Sequence, residues 1–98
     1  MAKYYKLQDI GAGVAAYTIE EIEPENGRDF SLEELQGYVD GYIEIVDLYD
    51  GRIMVVNENG LNDGLPINPL ATATFQELTH GNDIIVGSVV ICDAEQVK

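Results

Sequence analysis

Phe30-Ser31-Leu32-Glu33-Glu34-Leu35-Gln36-Gly37-Tyr38-Val39-Asp40-Gly41-Tyr42-Ile43-Glu44-Ile45 contains a complete helix start, a helix end and the opening of a strand. Ser31 caps the helix, and Glu34 three residues later completes a capping box. Phe30 before the cap and Leu35 at the fourth helical position form a hydrophobic staple. Glu33 and Glu34 place negative charge where the helix macrodipole favours it. Leu32, Leu35 and Val39 share one face by three- and four-residue spacing. Gly41 reads as the left-handed exit. The pattern predicts a helix of about two turns.

Downstream, residues 42–49 and 52–57 read as a hairpin, because Asp50-Gly51 between apolar runs signals a type I′ turn. Ile43 and Ile45 alternate, then the apolar phase slips to Val46 and Leu48, which predicts a bulge or a strand covered on both faces. Ile53, Met54, Val55 and Val56 read as a central strand. Residues 57–64 form a polar loop. Asn68-Pro69 starts a second helix, which runs through Leu70, Ala73 and Leu78 and ends before Gly81. Residues 83–91 read as the last strand. Upstream, residues 4–8 and 14–22 are two strands about a Gly11-Ala12-Gly13 turn, and Glu23-Pro24-Glu25-Asn26-Gly27 is an acidic turn. The order ββαββαβ predicts an α+β fold with a mainly antiparallel sheet of about five strands and two short helices. A single domain covers residues 1–98, with an N-terminal hairpin over 1–23 and a core over 30–92.

The charge balance is one-sided. Among 98 residues, 18 are acidic and five basic, for a formal charge of -13. That excludes direct nucleic-acid binding through phosphate neutralisation, which needs clustered Lys and Arg. The carboxylates are interspersed with apolar runs rather than collected in a disordered block. They make either a self-repelling, solubilising surface or one that docks on a basic protein partner. The only cysteine, Cys92, forms no internal disulfide. With no signal peptide or membrane-length apolar run apparent, the expectation is a cytoplasmic chain that does not meet a membrane, its oligomeric state left open.

No catalytic set stands out. His80, the single histidine, lies in a Thr-His-Gly-Asn stretch without a second ligand in reach and reads as an exposed turn residue. Cys92 beside Asp93 is a poor nucleophile, because a neighbouring carboxylate raises a thiol pKa. The loop over 57–64 looks like a calcium loop but fails on register, since the oxygen ligands would fall on Val55 or Leu61. No cofactor and no metal site are expected, and an enzyme ranks last among the function classes. Six tyrosines, Tyr4, Tyr5, Tyr17, Tyr38, Tyr42 and Tyr49, suit either a core margin or an interface.

Leu35-Gln36, the run Val39-Asp40-Gly41-Tyr42-Ile43-Glu44, Val56-Asn57-Glu58-Asn59-Gly60, Leu65-Pro66-Ile67-Asn68 and Ala71 together resemble an uncharacterised domain family of bacteriophage, prophage and mobile-element proteins. The resemblance spans roughly residues 31–91 and rests on the order of short turn and cap motifs. Asp40 stands where the pattern has glycine. The family carries no established activity; the resemblance implies a small accessory protein working in a host-cell cytoplasm, of a kind that engages host defence as anti-restriction or anti-CRISPR proteins do.

The leading expectation is a non-enzymatic, acidic protein-binding module. Its partner-binding candidates are Glu21, Glu23, Glu25, Asp29, Glu33, Glu34 and Tyr38. Mimicry of DNA requires carboxylates near phosphate spacing; strand residues two apart repeat at about 6–7 Å, against one charge per strand about every 3.4 Å along B-DNA. Glu21, Glu23 and Glu25 read as such a row, extended by Asp29, Glu33 and Glu34. The alternative is a binder of a nucleotide or metabolite that uses Asn57, Glu58, Asn59 and Asn68 beside the second helix start.

Overall fold

Two reciprocal hydrogen bonds set where the first helix begins. In the computed structural model, which describes residues 2–9 and 15–97, the Glu34 N–H donates to Ser31 Oγ at 3.1 Å and the Ser31 N–H donates to Glu34 Oε1 at 2.9 Å. The capping box is therefore closed, and helix α1 runs over Leu32–Val39. Phe30 and Leu35, the two ends of the staple, are both buried. The Phe30 N–H donates to the Gln96 carbonyl at 2.7 Å, so the C-terminal segment clamps the helix entrance.

The remaining elements are β1 (Ala2–Asp9), β2 (Ala15–Ile22), β3 (Ile43–Asp47), β4 (Arg52–Asn57), α2 (Pro69–Thr79) and β5 (Val89–Asp93), closed by a 3-10 turn over Ala94–Gln96. The strands form one antiparallel sheet in the order β2-β1-β5-β4-β3. The α+β fold expected from the sequence is the fold observed. β5, last in the chain, lies at the centre of the sheet. It joins the N-terminal hairpin to the rest through Lys3↔Ile91, Tyr4↔Val90 and Tyr5↔Val89.

Successive side chains of a strand point to opposite faces, and here both faces are apolar. Ile53, Val55, Val90 and Cys92 pack with Phe30, Leu35 and Val39 on the α1 side. Met54, Val56, Val89 and Ile91 pack with Tyr5, Leu48, Ala71 and Phe75 on the α2 side. The sheet is thus the middle of three layers. This explains the phase slip in β3: its register with β4 is unbroken from Ile43↔Asn57 to Asp47↔Ile53, so there is no bulge. Ile43 packs on one face and Val46 on the other.

Three local expectations are corrected. The left-handed residue at the end of α1 is Asp40 (φ 58°, ψ 50°), not Gly41. A Cβ at Gly41 would lie 2.7 Å from Asn57 Nδ2, so glycine is required there by the close approach of that amide. The β3–β4 connection is not a two-residue type I′ turn. Leu48 N–H bonds the Arg52 carbonyl, leaving a three-residue loop with Tyr49 (φ 63°) and Gly51 (φ 89°) left-handed. The last strand is short. Residues 83–88 are not part of it: Ile85 is bonded both ways to Thr72 Oγ1 of α2, and Val86 is bridged to Ile67. Gly87, at φ 75°, turns the chain into β5. The expected Gly11-Ala12-Gly13 turn lies outside the described residues.

These assignments make opposite demands on neighbouring positions. Asp40→Gly should raise stability by up to about 1 kcal/mol, since it relieves a left-handed non-glycine residue and removes a carboxylate from a helix C-terminus. Gly41→Ala should lower stability, because the new methyl meets the Asn57 amide. Urea denaturation of both variants checks the pair, and the reverse order would restore Gly41 as the helix exit. Leu35→Ala should cost about 2–5 kcal/mol in the same assay.

Candidate protein-binding surfaces

Carboxylates gather around Tyr38 on the α1 side. Glu34 bridges the acidic turn to the helix: beyond its bond to Ser31, its Oε2 accepts from the Glu25 N–H at 3.0 Å. The backbone N–H groups of Ser31 and then Glu25 hold its carboxyl below the ordinary value. Asn26 organises the rest of the turn, accepting from the Arg28 and Asp29 N–H groups and donating to Asp29 Oδ1. Tyr38 is half-buried, its ring 4.7 Å from that of Tyr4, whose hydroxyl donates to the Tyr38 carbonyl. Burial first, then Glu34, Tyr4, Glu20 and Glu25, push the Tyr38 phenol above its ordinary value.

Glu25, Asp29, Glu34 and Tyr38 are therefore brought together, and Glu33 is exposed on the first turn of the same helix. Glu21 is not part of this group. It pairs across from Lys3, and the alternation of β1 puts Lys3 on the face of Tyr5, the α2 side. Glu20, opposite Tyr4, takes its place. The two-residue period of β2 carried that signal, since Glu20 and the half-buried Ile22 share a face. The row of Glu21, Glu23 and Glu25 is also broken: β2 ends at Ile22, and Pro24 begins a turn.

Of the asparagines of the small-ligand reading, Asn57 and Asn68 are occupied inside the fold, while Asn59 is exposed. Asn68 is fully buried; its Nδ2 donates to the carbonyls of Tyr5 and Gly87, and its Oδ1 accepts from the Ala71 N–H. Asn57 Nδ2 donates to the carbonyls of Val39 and Asp40, and its Oδ1 accepts from the Asn59 N–H. Neither amide is directed at a ligand. Arg52, one of the two arginines available to a phosphate, is held by Asp50 at 2.7 Å, at the opposite end of β4 from Asn57.

The same loop builds a different feature. Between β3, the start of the 57–64 loop, α2 and residues 83–86 lies an open cleft of about 560 Å³. Its floor is Val46, Val56, Phe75 and Ile85, an extension of the α2-side core. Around it stand Glu44, Glu58 and Asp83, with the exposed apolar side chains of Leu61 and Ile84. The lining contains no lysine, arginine, histidine, cysteine or serine. It offers apolar area framed by negative charge, which suits a group that is partly apolar and carries a cation. Of the residues of this cleft only Asn57 and Glu58 were binding candidates from the sequence, because Glu44 lies on β3, Phe75 on α2 and Asp83 in the segment before β5.

The remaining chemistry-bearing residues are structural. His80 is the exposed, left-handed cap that ends α2. Cys92 is buried in the α1-side core, and burial, with Asp93 adding, pushes its thiol up to about 11. Among the described residues no group of three or more His, Cys, Asp and Glu side chains is placed to hold a metal ion, and no helix is long and apolar enough to cross a membrane. Cys92 should consequently react with a disulfide reagent at pH 8 only as fast as the domain opens, and at a free-thiol rate in urea. Rapid labelling of the native protein would contradict this placement.

No curated protein and no solved structure matches the chain significantly. The sequence profile of one family, described as a domain of unknown function, DUF3846, matches residues 13–97, a wider span than the motif resemblance covered. That span takes in β2, both helices and the three strands from β3 to β5. The chain belongs to the DUF3846 family.

Proposed function

We propose that this domain is a non-enzymatic binding module for a basic protein. The observation that carries the reading is the cleft beside β3, whose floor is apolar and whose charged lining is entirely carboxylate. Apolar contact supplies affinity, while the uncompensated charge selects partners that present Lys or Arg and rejects acidic ones. The carboxylates around Tyr38 add long-range attraction, in line with the formal charge of -13. The finer reading is a partner drawn from nucleic-acid machinery, including host defence, because proteins that hold phosphates expose clustered basic residues. The resemblance to mobile-element proteins favours that setting.

Pull-down from a bacterial lysate at low and high salt tests the reading. Specific partners should be basic and should elute as the Debye length falls to a few ångströms. Capture indifferent to salt would show that charge complementarity is the wrong idea. On a recovered partner, replacing Glu23, Glu25 and Glu33 with glutamine should slow association and flatten its salt dependence while leaving dissociation nearly unchanged, as expected of rim charges. Stability should change by less than about 0.5 kcal/mol, since none of the three side chains belongs to the capping box. Equal association rates for the variant and the parent would leave Glu23, Glu25 and Glu33 without a role in binding.

A further inference from the structure

Strand β3 is an edge of the sheet, and its hydrogen-bond phase can be read from its two ends. Leu48 N–H donates to the Arg52 carbonyl at 3.1 Å, and Glu58 N–H donates to the Tyr42 carbonyl at 2.8 Å. With the intervening register unbroken, Glu44 and Val46 direct their backbone groups at β4. Ile43, Ile45 and Asp47 direct theirs away from the sheet. Side chains alternate with the same period, so Glu44 and Val46 face the α2 side, where both line the cleft. Exposed aromatic residues bracket the strand, Tyr42 before it and Tyr49 after it, and Ile45 at its middle is half-exposed.

A strand added outside β3 would therefore bond to Ile43, Ile45 and Asp47, and its residues opposite Glu44 and Val46 would point into the cleft. The chemistry of that position selects the occupant. A second copy of this chain would bring its own Glu44 and Asp47 to an edge already carrying them, within a molecule of formal charge -13; such charges are the usual guard against edge-to-edge self-pairing. A cationic segment meets no such repulsion. We propose that the outer edge of β3 and the adjoining cleft take an extended segment of a basic protein as a sixth strand. Within that segment an apolar residue opposite Val46 and a Lys or Arg opposite Glu44 stand two positions apart. The apolar side chain rests on Val46 at the apolar floor of the cleft, and the cation lies within the frame of Glu44, Glu58 and Asp83. This inference rests on the basic-partner reading and adds the mode of binding.

The probe is a short fluorescein-labelled peptide with Lys and Val alternating at every second position and Thr between them, read by anisotropy and by amide chemical shifts of the domain. Binding should move the amides of Ile43, Ile45, Asp47, Glu58 and Ile84. The variant E44Q/E58Q/D83N should bind about tenfold more weakly at low salt, as three exposed ion pairs of ordinary strength imply. Ile45→Pro removes an outward N–H without breaking the ladder to β4 and should weaken binding by a similar factor. The same peptide N-methylated on alternate amides should not bind the unaltered domain, which tests the strand pairing even if the proline variant fails to fold. Retained affinity of the N-methylated peptide, or shifts confined to the α1 side, would overturn the groove. Salt-sensitive capture of basic proteins from lysate without any peptide binding would overturn the groove alone. Loss of both would overturn the basic-partner reading as well.

Discussion

The buried carboxamide of Asn68 is the interaction on which the arrangement of the layers depends. Its side chain bonds to β1 at Tyr5, to the 83–88 segment at Gly87 and to α2 at Ala71, and its backbone N–H bonds to Ile85. The start of α2 is thereby held at a fixed distance from β1 and from the 83–88 segment, both far from it in sequence. A buried amide left without partners costs about 1–3 kcal/mol for each polar group, so the site works as a lock that tolerates one arrangement. Asn57, the last residue of β4, plays a matching part by joining the exit of α1 to the start of the following loop. Among the described residues no buried side-chain nitrogen or oxygen lacks a partner.

Placing β5 at the centre of the sheet has consequences for the surface. With β1 on one side and β4 on the other, β5 leaves β2 and β3 as the two edges. The two edges differ in character. β2 carries exposed Tyr17 and Ile19 beside Glu21, on a face beyond the α2-side cluster. β3 is short, is guarded by Glu44 and Asp47, and opens onto the cleft left between the sheet, α2 and the segment that precedes β5. One wall of that cleft is the 83–86 stretch, held beside α2 by the bonds between Ile85 and Thr72.

Negative charge serves two different purposes in this molecule. Glu34 is consumed locally: it caps α1, anchors the acidic turn and contributes to the field around Tyr38. Asp50 is likewise engaged by Arg52 across the hairpin loop. Glu44, Glu58 and Asp83, by contrast, surround apolar surface, where a carboxylate neither caps a helix nor closes a turn. A count of carboxylates does not separate these roles; their neighbours do.

The sequence by itself determined the local structure around each terminus and turn that uses contacts a few residues apart. The capping box at Ser31 and Glu34, the staple of Phe30 and Leu35, the Asn68-Pro69 start and the succession of strands and helices along the chain were legible because each is encoded within a short window. The apolar faces of Met54 and Val55 announced a strand buried on both sides. Glu20 was legible too, through the two-residue period that separates it from Glu21, although charge content drew attention to its neighbour. Other features were decided only by tertiary structure. Gly41 is glycine because Asn57, sixteen positions later in the sequence, packs against its Cα. Residues 83–88 have the pattern of a strand but are claimed by Thr72 and Pro66. The cleft unites side chains from β3, β4, α2 and two loops, and no window of sequence contains them. Its shape depends on how the layers meet, since a concave surface is a property of distances between elements and local preferences specify only the elements themselves.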